Sequence, residues 1–131
     1  MENKFKNEML IEVGGEKILL RPTFENLAAM ESKMGGLAYL AFKYGKGIDI
    51  GSGKIDPLDA AKSLPPLTDA VQIIYFNQHV EEGEKRKGLE EIHQLCMTDG
   101  IKICTQIVIF LARCTAGNKF AAQPTKSQKK S

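Results

Sequence analysis

Met9-Leu10-Ile11-Glu12-Val13-Gly14-Gly15-Glu16-Lys17-Ile18-Leu19-Leu20 runs straight into Arg21-Pro22-Thr23-Phe24-Glu25-Asn26-Leu27, and this stretch decides the fold. Residues 10–13 and 17–20 are short apolar runs split by Gly14-Gly15, a pair that tolerates the positive φ of a tight hairpin turn. Pro22 blocks continuation of the second strand. Thr23 is placed to cap a helix, and Glu25 in its first turn is favoured by the helix dipole. Phe24, Leu27, Ala28, Glu31 and Met34 fall on one face at helical spacing, and Gly35-Gly36 ends the helix. Phe24 is expected to anchor this helix on the hairpin.

Outward from this start the chain reads as mostly helical. Leu37, Leu40, Ala41 and Tyr44 form the apolar face of a second helix, closed by Gly45 and Gly47. Residues 47–55 are a glycine-rich loop with room for a brief extended segment. Asp56-Pro57 opens a short helix through Leu58, Ala60 and Ala61 that stops before Pro65-Pro66. Thr68 is the expected cap of the next helix, with Val71, Ile74, Tyr75 and Gln78 on one face and Ile73 and Phe76 on the other. An element apolar over so much of its circumference is central to a core or used in a contact.

Residues 81–88 are a charged hinge. Residues 89–97 form a short helix with Leu89, Ile92 and Cys96 as its buried stripe, broken by Asp99-Gly100. In the last helix, 101–115, one face carries Ile101, Cys104, Val108, Leu111 and Ala112. A second face carries Ile103, Ile107, Phe110 and Cys114, as core shared with another helix or as a partner surface. At about 25 cal/mol per Å² of buried apolar area, something must cover Ile107 and Phe110. The expected fold is mainly α with an N-terminal β-hairpin (α+β), a small single-domain helical bundle packed on two strands.

The 131 residues fit one domain with a modest core. Residues 1–8 read as a flexible N-terminus, 9–117 as the domain, and 118–131 as a disordered basic tail. The net charge of +2 is unevenly spread: residues 115–131 hold four lysines and no acid, while the preceding 114 carry 14 basic and 16 acidic groups. A tail of Gln, Pro, Thr, Ser and Lys buries too little apolar surface to order itself. No run approaches the about 18 apolar residues of a membrane span, and residues 1–8 lack the apolar core of a signal peptide. A cytoplasmic protein with no membrane partner is the expectation.

Residue patterns for chemistry are incomplete. Cys96, Cys104 and Cys114 have no disulfide-framework spacing. His93 and Cys96 share a helical face but lack the further ligands of a zinc site, so no metal is expected. Gly53-Lys54 lacks the first glycine and the following hydroxyl residue of a phosphate-binding loop. Asp49 and Asp56 lack the spacing of a calcium loop. No serine sits in a nucleophile elbow. The pairs Glu81-Glu82 and Glu90-Glu91 diverge by about 100° on a helix and read as solvated faces. Lys85-Arg86-Lys87 is offset by neighbouring glutamates, and no aromatics interleave with basic residues, so no specific nucleic-acid binding is expected. The pattern points to a non-enzyme with no catalytic residues and no cofactor.

Residues 11–17 followed by Leu20-Arg21-Pro22-Thr23-Phe24-Glu25-Asn26-Leu27 resemble a family of small proteins encoded in the tail-gene clusters of tailed phages and gene transfer agents. The family is described as a tail assembly chaperone and has also carried the label of tail tube protein. Its pattern is a strand with Gly-Gly, a second strand, and an Arg-Pro-Thr-Phe-like opening of a helix, here Gly14, Gly15, Arg21, Pro22, Thr23 and Phe24. The later helix pair matches at residues 88–92 and 100–111, so the resemblance spans about residues 9–117.

The resemblance implies a non-catalytic chaperone that holds the tape-measure protein and helps recruit the tail-tube protein. A mostly helical domain with surplus apolar faces can cover the apolar helices of such a client. Ile73, Phe76, Ile107 and Phe110 are the candidate contact residues, with ordinary core as their other reading. The alternative function is a structural tail-tube component of the particle, against which stands the small number of strands. Self-association through the hairpin edge or the last helix is left open by the sequence.

Overall fold

The computed structural model describes residues 8–45, 48–49 and 54–116. The proposed N-terminal segment, apart from Glu8, and the basic tail lie outside the described residues. The fold is α+β. Strands β1 (Met9–Val13) and β2 (Glu16–Leu20) are followed by helices α1 (Phe24–Met34) and α2 (Leu37–Tyr44). A two-residue ribbon, β3 (Ile48–Asp49) and β4 (Lys54–Ile55), leads to α3 (Pro57–Lys62). Helices α4 (Leu67–Asn77), α5 (Leu89–Cys96) and α6 (Gly100–Ala116) complete the chain. The ribbon is the extended segment anticipated in the glycine-rich loop.

The hairpin forms as its sequence dictates. Met9 pairs with Leu20 and Val13 with Glu16, so Gly14 and Gly15 alone make the turn, at φ of 59° and 84°. Both values are those a type I′ turn requires, and the twist of that turn matches the twist of the flanking strands. Alternation places Ile11, Val13, Ile18 and Leu20 in the core and Glu12 and Lys17 in solvent.

Both hairpin edges are occupied. On the β2 side, Arg21 N–H donates to the O of Asn77 at the end of α4 (2.7 Å), and His79 N–H, just after that helix, donates to Leu19 O (2.8 Å). On the β1 side, the carboxamide of Gln106 accepts from Glu12 N–H and donates to Glu12 O, both at 3.0 Å. Lys102, one turn earlier on α6, reaches the Glu12 carboxylate at 3.0 Å. A helix side chain thus does for Glu12 what a neighbouring strand would do, which blunts this part of the edge.

Helix α4 sits at the centre, packed against α1, α5 and α6, while α2 lies on α6, and α5 and α6 both touch β1. Its Ala70, Val71, Ile73, Ile74 and Asn77 are all buried. That explains why it is apolar nearly all round: three neighbours cover it from different sides. Helix α6 likewise buries most of both apolar faces, with Ile103, Cys104, Ile107, Val108, Phe110, Leu111 and Ala112 in the core and Cys114 partly buried.

Four local expectations need correction. Thr68 is not the cap of α4, because the helix begins at Leu67 with Pro66 in the cap position and no side-chain capping bond. Ile101 is 75% exposed, being too early in α6 to reach the core, which begins at Ile103. Leu89, at the first turn of α5, is half exposed while Ile92 and Cys96 are buried. On α1 the deeply buried residue is Met30, which the heptad-like face omitted. No single helix among the described residues is long and apolar enough to cross a membrane.

Candidate functional site

The turn from β2 into α1 is built from a dense set of short bonds. The Arg21 carbonyl accepts from Thr23 N–H (2.8 Å) and from the Asn26 carboxamide (2.7 Å). Thr23 Oγ1 accepts from Asn26 N–H at 3.0 Å and caps the helix as its sequence position demands. The Arg21 guanidinium donates through Nε to Glu8 at 2.6 Å, and both side chains are largely shielded from water. The Arg21 N–H bond to Asn77 ties the whole corner to the end of central helix α4.

This corner holds up Phe24, the first residue of α1, and Phe24 is 87% exposed. The expectation that it anchors the helix on the hairpin is therefore overturned. The cause is rotational: Met30, with Leu27 and Met34 beside it, faces the core, and position 24 falls outside that stripe. The phenyl ring thus stands in water on a corner tied down by the Thr23 cap and the Asn26 bonds. Because the backbone beneath it is already ordered by the cap, burying the ring against another molecule would cost only the ring's own rotamer freedom, not backbone entropy.

Other large apolar side chains are exposed as well. Tyr39 and Phe42 stand three residues apart on α2, and Leu58, Met97, Ile101 and Leu10 are exposed on other elements. The residues expected to form a contact surface lie elsewhere. Ile73, Ile107 and Phe110 are each 0% exposed, inside the core where α4 and α6 meet their neighbours. Phe76 is half buried against that core, with its ring edge-on to Tyr75 at 5.4 Å. In the folded chain the first three have no surface to offer. Apolar surplus on a helix signals either fate, and here the neighbouring helices took it up.

The described nucleophiles are subdued rather than activated. Burial pushes the Cys96 thiol up to about 11, aided by neighbouring Cys104, and pushes Cys114 up to about 12. Burial raises Cys104 as well, so none of the three thiols gains the thiolate character that nucleophilic chemistry needs. Among the described residues no three His, Cys, Asp or Glu side chains converge on a metal-sized site.

A concavity of about 540 Å³ opens between the ends of α2 and α3, lined by Lys43, Tyr44, Asp59, Lys62, Ser63 and Leu64. Its lysines occupy last turns, where they answer the helix dipoles. The Tyr44 hydroxyl is committed to Asp69, and burial followed by that bond raises its pKa. Searches for a matching family model, curated protein or solved structure found none.

Proposed function

We propose that this chain is a non-catalytic, phage-type tail assembly chaperone that binds the tape-measure protein through an apolar surface centred on Phe24. The reading rests on the resemblance of residues 11–17 and 20–27 to that family. Its main physical support is the exposure of Phe24, the last residue of the Arg-Pro-Thr-Phe motif, on a corner held by Thr23, Asn26 and Arg21. A client with exposed apolar helical segments gains by burying that ring and the other bare apolar side chains of α1 and α2. In this proposal the complex keeps the client apart from premature association until tube subunits arrive.

The test is capture of the tape-measure protein by tagged chain from cells expressing a complete tail-gene cluster. Wild type should recover it, Phe24→Asp should not, and the chain should be missing from purified particles. Retention of the chain in finished particles, with no tape-measure protein captured, would replace the proposal with a structural tail subunit.

A further inference from the structure

Helix α1 is held on the fold by little apolar burial. Of its eleven residues Met30 alone is fully buried, with Leu27 and Met34 partly buried beside it. Helix α4, of equal length, buries five residues. The segments on either side of α1 are anchored independently of it. Arg21 N–H is bonded to Asn77 O, and α2 lies on α6 with Leu40 and Tyr44 buried. Gly35, at φ of 100°, and Gly36 join α1 to α2.

Where Met30 meets α4 it meets a polar group. Its thioether, a weak acceptor, takes a long hydrogen bond from Asn77 Nδ2 at 3.5 Å. The same nitrogen donates to Ile73 O at 2.9 Å. Asn77 is 0% exposed, and its Oδ1 has no hydrogen-bond partner among the described residues. A carbonyl oxygen buried without a partner costs free energy that contact with water recovers. Since Met30 touches this carboxamide, lifting α1 opens a path from it to solvent.

We propose that α1 is a strap that opens on its own, by local unfolding of residues 24–34 while α4, α5 and α6 stay folded, and that Asn77 sets how readily it opens. Elements with few buried apolar contacts open at lower free energy than the whole chain unfolds. The open form bares the Met30 seat on α4. A partner that prefers that surface shifts the chain toward the open form. The inference does not depend on the chaperone proposal.

Native-state hydrogen exchange of the purified chain, read residue by residue, tests it. In wild type the amides of residues 28–34 should exchange at least about a hundredfold faster than the slowest amides of α4 and α6. Their exchange should also respond less to added urea, because opening α1 exposes less surface than unfolding the chain. Dilute hydrogen peroxide gives an independent readout, since it converts the Met30 thioether to the sulfoxide only when the sulfur is reached. The Met30 rate should follow α1 exchange and stay below that of Met97, which is 61% exposed. Asn77→Leu removes the unpaired oxygen at similar volume and should slow both α1 exchange and Met30 oxidation at least about fivefold. The wild-type measurements decide even where Asn77→Leu fails to fold. Amides of α1 that exchange no faster than those of α4 and α6 would overturn the proposal. So would Met30 oxidation only at the rate of global unfolding, or a folded Asn77→Leu chain whose α1 exchanges as fast as wild type.

Discussion

Gly14 and Gly15 share one turn, yet their surroundings separate them. A Cβ on Gly15 meets nothing within 4 Å, whereas one on Gly14 falls 2.7 Å from the backbone oxygen of Leu95 on α5. Gly15→Ala should therefore cost only the left-handed backbone penalty, about 1–2 kcal/mol. Gly14→Ala should cost more, because the turn must also lift away from α5. Urea unfolding of the pair checks the order. The buried thiols make a second residue-scale prediction. Their pKa values rise on folding from the ordinary 9.0 to about 11 for Cys96 and about 12 for Cys114. A group whose pKa is raised in the folded state stabilises it fully below the unfolded value, and that contribution is lost as pH climbs through the folded value. Stability should fall across pH 9–12, and Cys114→Ala should flatten part of the fall in a series of denaturant titrations.

At the scale of the element, caps and apolar stripes carry different information. Thr23→Ala should destabilise α1 by about 1 kcal/mol, measured by thermal or urea unfolding, since it strips the bond to Asn26 N–H. Phe110→Ala should cost about 3–5 kcal/mol by opening a cavity in a fully buried site. Its effect on client capture should follow the loss of folded protein, unlike Phe24→Asp, which should spare the melting temperature. The hairpin, the Thr23 cap and the bounds of α2 and α5 were legible because glycine, proline and capping residues act locally. The roles of Ile107 and Phe110 were not, because burial of a second apolar face depends on which helices come to lie beside it. Phe24 misled for a related reason. The motif fixes where α1 begins, whereas the helix rotation that buries Met30 is set by packing against distant α4.

For the whole molecule, the architecture is a central helix wrapped by three others, closed at one end by a hairpin whose edges are occupied at Glu12 and along Leu19–Arg21. The core uses the strongest apolar residues of α4 and α6, and the exposed aromatic side chains Phe24, Tyr39 and Phe42 lie on α1 and α2. Under the chaperone proposal, that division makes the contact residue Phe24 separable from the residues that hold the fold together. Sequence showed the class of fold and the surplus of apolar residues, but the assignment of surplus to surface required the three-dimensional arrangement. The most direct measurement is the soluble fraction of the tape-measure protein when it is co-expressed with wild type, with Phe24→Asp, or alone. The client should stay in the supernatant with wild type and fall into the pellet in the other two cases. A client that pellets equally in all three, or stays soluble with Phe24→Asp as with wild type, would contradict it.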